Sequence, residues 1–142
     1  MWKYENSIYT DARPQDIWRL YQNISEWTKW DKGLAQVTLN GSFEKGTKGY
    51  LTPMGEEPLP FTLTEVKENE FFSDVTVLED AGIQLEFNHR IEIHESKTKL
   101  THALVISGPN SEMMGNQIGP MISQGIPDTM ANLVMLAGGK IV

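Results

Sequence analysis

The chain has no cysteine, which excludes disulfides, thiolate nucleophiles and cysteine-ligated metals. No apolar run approaches the ~20 residues that cross a bilayer, so stable membrane insertion is not expected. The first residues, Met1-Trp2-Lys3-Tyr4-Glu5-Asn6, hold no apolar signal core, and a cytoplasmic location is the default expectation. Basic residues are few and scattered, with 12 Lys and Arg against 19 Asp and Glu and a formal net charge of −7. Nucleic acid and anionic membrane surfaces are recognised through clustered cations, so neither is an expected partner. Aromatic residues make up only 9% of the chain, and several of them lie together near Trp18, Trp27 and Trp30.

What is present is an ordered change of period. Residues 1–142 read as one domain, with no internal repeat, low-complexity tract or linker. A strand is expected from Trp2 to Thr10. Pro14 suits the first turn of a helix carrying Ile17, Leu20 and Tyr21 on one stripe and ending near Gln22. Asn23 followed by Glu26 reads as a variant capping box for a second short helix through Trp30. Period two then takes over at Ala35, Val37 and Leu39, and again at Lys48 to Thr52, Phe61 to Val66 and Phe72 to Leu78. Met54 to Pro60 reads as a loop, because Pro53, Pro58 and Pro60 cannot all donate to a ladder. In the two longest strands Leu85, Phe87, His89, Ile91 and Ile93, then Leu100, His102, Leu104 and Ile106, form dry faces, joined by a hairpin at Glu95 to Thr98. After Gly108-Pro109 the period lengthens to that of a helix. A bend or break is expected near Pro127, and the helix ends at Gly138-Gly139.

Seven antiparallel strands at ~4.8 Å spacing make a sheet about 30 Å wide, whereas one helix is ~10–12 Å across. A single C-terminal helix cannot cover that face, and with so few aromatic rings an apolar pocket between sheet and last helix is expected.

Several stretches then carry a resemblance. They are Ala12-Arg13-Pro14-Gln15-Asp16-Ile17-Trp18, Trp27-Thr28-Lys29-Trp30-Asp31, Leu39-Asn40-Gly41-Ser42-Phe43 with Gly46-Thr47-Lys48-Gly49, Phe61-Thr62-Leu63-Thr64-Glu65-Val66, and Thr98-Lys99-Leu100-Thr101-His102 ahead of Gly108-Pro109. In this order they resemble the START-like (SRPBCC) helix-grip superfamily, and within it the polyketide cyclase/dehydrase and lipid-transport family. The resemblance spans nearly the whole chain. It implies an α+β, Bet v 1-like fold: a curved seven-stranded antiparallel sheet wrapped around a long C-terminal helix, with two short helices after the first strand. Members of the superfamily bind sterols, lipids, polyketides and plant hormones, and some are co-chaperone-like, so the fold does not fix the function.

The expected function is binding of a small, mostly hydrophobic ligand by Trp30, Phe61, Leu63, Phe87, His89, Ile91, His102, Leu104, Met121 and Met130. His89 and His102 share the dry face. If Ile93 pairs with Leu100, the two imidazoles are diagonal neighbours. Either can be a neutral core histidine, can orient a ligand carbonyl or hydroxyl, or can act in acid–base chemistry of a cyclase or dehydratase. A co-chaperone-like interaction module is the third reading. No metal site is expected, since two histidines supply only part of a ligand set, and no cofactor is implied. A homodimer stays open. Trp27 and Trp30 could form a pocket wall or lid, and Met113, Met114, Met121, Met130 and Met135 an adaptable one. Glu65 and Asp74 lie in strands whose facing the pattern leaves open, with an outward, solvated carboxylate the simpler reading.

Overall fold

The computed structural model describes residues 1–142. Strand β1 (Trp2–Thr10) leads into α1 (Pro14–Gln22), a 3₁₀ turn (Ile24–Glu26) and the short α2 (Trp27–Trp30). Strands β2 (Leu34–Leu39), β3 (Lys48–Pro53), β4 (Leu59–Lys67), β5 (Phe71–Leu78), β6 (Ile83–His94) and β7 (Lys97–Ser107) follow, and α3 (Ser111–Ser123) and α4 (Ile126–Leu136) close the chain. The strands form one antiparallel sheet in the order β1-β7-β6-β5-β4-β3-β2. No helix is long and apolar enough to cross a membrane.

Local chemistry accounts for most boundaries. Pro14 opens α1, where its missing N–H would have had no partner, and Ile17, Trp18, Leu20 and Tyr21 bury its apolar stripe. The capping box expected at Asn23 does not form. The Asn23 side chain instead accepts the Ser25 hydroxyl at 2.7 Å, and a 3₁₀ turn occupies the segment. The end of α1 is satisfied from α2. The indole N–H groups of Trp27 and Trp30 donate to the Tyr21 and Leu20 carbonyls at 2.7 and 3.1 Å, two acceptors that a helix C-terminus leaves open. Pro60 lies inside β4, not in a loop. It pairs with Tyr50, and the β4–β5 ladder begins only at Thr62, so its missing donor costs no hydrogen bond to β5.

The β6–β7 hairpin is tighter than expected. His94 pairs with Lys97, leaving Glu95-Ser96 as a two-residue turn with φ of 49° and 67°. Positive φ at both positions matches the twist of a type I′ hairpin. The pairing therefore slides by two residues, Ile93 to Thr98 and His89 directly to His102. A two-residue slide keeps every side chain on its predicted face.

The C-terminal helix is bent, as expected. It breaks at Gln124-Gly125, with Pro127 in the first turn of α4. Helix α3 lies over β1, β6 and β7, and α4 packs on α1, α2, β1 and β7. Gly115 and Gly119 let α3 approach β1 closely. A β-carbon on either would sit 2.5 or 2.6 Å from Trp2, closer than any side chain tolerates.

Candidate functional site

Cross-strand register arranges the inner face of the sheet in rows. One runs Asn6, His102, His89, Phe72 across β1, β7, β6 and β5. The next runs Tyr4, Leu104, Phe87, Asp74 and ends at Leu63 on β4.

The first row is knitted into the core. The His89 and His102 rings meet edge to face with centroids 4.7 Å apart, and His89 stacks flat on Phe72 at 3.9 Å. Nδ1 of His89 lies 3.2 Å from the Phe72 carbonyl. A carbonyl only accepts, so Nδ1 carries the proton. Nε2 of His102 lies 2.7 Å from the Tyr21 hydroxyl. Burial pushes His89 down to about 3, against the weaker upward pull of its backbone bond. Burial also holds His102 well below the ordinary imidazole value, with His89 adding to the effect. Burial raises Tyr21 well above the usual phenol value. Both imidazoles are therefore neutral, and Tyr21 keeps its proton while sharing a hydrogen bond with His102.

Around this pair Trp18, Tyr21, Trp27, Trp30, Phe61 and Phe72 form one buried aromatic cluster. Phe43, from the β2–β3 connection, packs on Trp18, Trp27 and Phe72. Trp27 and Trp30 are core residues, not a lid. This end of the expected hollow is filled by the chain's own rings, because nine aromatic and imidazole groups converge from seven segments of the chain. The expectation of an apolar pocket between sheet and last helix is corrected to that extent. The sheet's outer face carries two shallow grooves, about 460 Å³ beside Lys3, Phe71 and Arg90 and about 340 Å³ beside Thr38 and Tyr50.

Trp30, Phe61, Leu63, Ile91, Leu104 and Met130 are all buried in the same core, and His89 and His102 retain only 7% and 4% exposure. Phe87 is half-buried. Met121 is not with them. It is 67% exposed, because the close Gly115–Gly119 contact with Trp2 turns its part of α3 to solvent, and its placement on the ligand wall is corrected. On the inner side, Tyr4, Phe87, Met114, Ile118 and Ile122 pack against the core yet stay partly exposed.

The two open carboxylates divide. Glu65 faces solvent, 3.2 Å from the Lys45 ammonium. Asp74 faces inward and is 3% exposed, between Leu63 and Phe87 in register. Its burial comes first, then the like charges of Asp31 and Glu86, in pushing it up to about 8. Burial also raises Asp31, opposed by the Gly33 N–H that its carboxylate accepts. The hydroxyl of Thr76, two residues along the same face, is buried without a partner. Sequence reasoning missed Asn6, Tyr21, Asp31 and Thr76, none of which carries a local pattern. No group of three or more His, Asp or Glu is placed to hold a metal ion.

A seven-stranded antiparallel sheet gripping a bent C-terminal helix, with short helices after the first strand, is the helix-grip fold. Solved structures share that architecture over nearly the whole chain. Ara h 8.0201 superposes with a TM-score of 0.70 at 8% identity, covering 96% of this chain and 97% of its own. Protein MLL2253 from Mesorhizobium loti gives 0.74 at 13% identity, covering 96% of each chain. The hypothetical protein jhp0584 from Helicobacter pylori gives 0.76 at 12% identity, covering 95% and 86%. At such identities the likeness establishes the fold alone. No family model matches the sequence, and no curated protein does.

Proposed function

We propose that the protein binds a small, predominantly hydrophobic molecule, of lipid or polyketide character, on the inner face of its sheet beneath α3. The observation that supports this reading is the unequal filling of the interior. The end under α1 and α2 is packed with aromatic rings, whereas Tyr4 and Phe87 on the sheet and Met114, Ile118 and Ile122 on α3 remain partly exposed. Apolar walls of this kind favour a ligand by removing its surface and theirs from water. Methionine adds a flexible, polarizable contact.

The histidine pair gives no particular support to acid–base turnover. Each ring already commits a nitrogen to an internal partner, and their low basicity keeps both neutral. Their place in this reading is to terminate the binding space and hold its inner wall.

Native mass spectrometry of freshly purified protein, with thermal-shift titration against fatty acids, sterols and polyphenols, tests the reading. A bound adduct or a concentration-dependent shift is expected, and Ile118→Glu should remove it while the variant still folds. A clean apo mass with no shift from any of these compounds refutes it.

A further inference from the structure

We propose that Asp74, with Thr76 and Asp31, is the polar anchor of the inner-face site, and that it receives the ammonium group of an otherwise apolar amine ligand. This rests on the reading of the inner face as a ligand site and names the chemistry that the site selects.

The argument begins with a misfit. The row Tyr4, Leu104, Phe87, Asp74, Leu63 is apolar but for the Tyr4 hydroxyl and one carboxyl. Asp74 is 97% removed from solvent and accepts no hydrogen bond from the chain. Buried polar groups are ordinarily paired, and an aliphatic residue here would pack without that penalty. The Thr76 hydroxyl, on the same face of β5, is also buried and unpartnered. Two adjacent open hydrogen-bonding groups on one strand face make a place prepared for something else.

The donor and acceptor inventory indicates what that is. Asp74 offers two carboxyl oxygens, Thr76 a hydroxyl, and Asp31, at the end of α2, a second carboxylate whose charge reaches Asp74. Asp31 has one oxygen occupied by the Gly33 N–H at 3.0 Å. These groups accept far more than they donate. The charged groups that act on Asp74 are Asp31 from α2 and Glu86 from β6, both acidic, and the side chains beside it in register, Leu63 from β4 and Phe87 from β6, are apolar. A group with several N–H donors and a positive charge complements such a set, and a carboxylate ligand is repelled by it. Phe87, partly exposed and paired with Asp74 in register, suits an apolar body behind the amine. With no third His, Asp or Glu in place for a metal ion, the arrangement favours an organic cation.

Three probes that share one carbon skeleton isolate the polar group: 4-phenylbutan-2-amine, 4-phenylbutan-2-ol and 4-phenylbutan-2-one, titrated calorimetrically at about pH 9, above the value of about 8 at which Asp74 releases its proton and below the ~10 at which an alkylamine loses its own. The amine should bind at least about tenfold tighter than the alcohol and the ketone, as a desolvated charge pair does. Asp74→Asn should abolish that preference while leaving the alcohol's affinity in place, and Asp31→Asn should weaken the preference in part. If the alcohol or ketone binds and the amine has no advantage, or if the advantage survives Asp74→Asn, the inference is overturned and the apolar-ligand reading stands. If no probe binds and the lipid, sterol and polyphenol titrations are also silent, that reading falls and takes the inference with it.

Discussion

Raising the pH from 6.5 to 8 should destabilise the protein, and Asp74→Asn should remove the effect. Asp74 in the folded chain is pushed up from 3.8 to about 8, so between those values the folded state holds a proton that the unfolded state has released. Stability then falls as pH rises, by about 1.4 kcal/mol per pH unit for one proton. His89 acts with the opposite sign. Its folded value lies near 3 against 6.5 when free, so its stabilisation is complete above pH 6.5 and is lost as pH falls toward 3. His102 is lowered by the same cause, burial. Just below pH 6.5 the two histidines outweigh Asp74, and stability rises with pH; Asp31, whose carboxyl is also raised by burial, opposes them further toward acid. Above 6.5 Asp74 dominates, offset in part by the unfolded-state histidines completing their own deprotonation, and roughly 1 kcal/mol should be lost by pH 8. The maximum therefore lies near pH 6.5. Urea unfolding followed by tryptophan fluorescence at half-unit pH steps measures the profile, since Trp18, Trp27 and Trp30 all lie in the core. Asp74→Asn should flatten the limb above pH 6.5 and keep the acid limb. A wild-type profile flat between pH 6.5 and 8, or an unchanged alkaline limb in the variant, would refute the assignment of Asp74 as an inward, protonated carboxyl.

Three further perturbations probe the packing. Tyr21→Phe removes the hydroxyl that His102 contacts at 2.7 Å and leaves a buried ring nitrogen unpaired, so chemical denaturation should show a loss of about 1–3 kcal/mol. Gly119→Leu drives a side chain into the Trp2 indole. Overpacking of this kind costs about 1–3 kcal/mol, more than the ~1 kcal/mol gained in helix propensity, so the melting temperature should fall and hydrogen exchange in α3 should rise. Met121→Ser, at a position 67% exposed, should change stability by no more than about 0.5 kcal/mol and leave any ligand shift intact, which distinguishes it from Ile118→Glu.

Much of the fold was legible because its signals are local. The clean alternation of β6 and β7 put His89 and His102 on the inner face, and Pro14, Gly125 and Pro127 marked helix limits within a residue or two. Where pattern misled, the reason was equally physical. In β5 the apolar residues Phe71, Val75 and Val77 occupy the outer face, with Val77 49% exposed, while Asp74 and Thr76 alternate inward with Phe72. Read alone, that strand invites the outward placement of its carboxylate. Only its pairing with β6, Phe72 to His89 and Asp74 to Phe87, settles the facing. The turn at Glu95-Ser96 carries neither Asn nor Gly, so nothing in the residues announced a two-residue hairpin and the register slid.

By itself, then, the amino-acid order determined the sequence of elements, the dry faces of the two long strands and the bend in the closing helix, since each follows from spacing along the chain. Tertiary structure alone decided how much of the concavity is filled. It also decided which of two carboxylates is withdrawn from water, and which methionines meet the interior. Those outcomes depend on contacts between residues such as Phe43 and Phe72, or Trp2 and Gly119, that are distant in the chain and become neighbours only when sheet and helices close on one another.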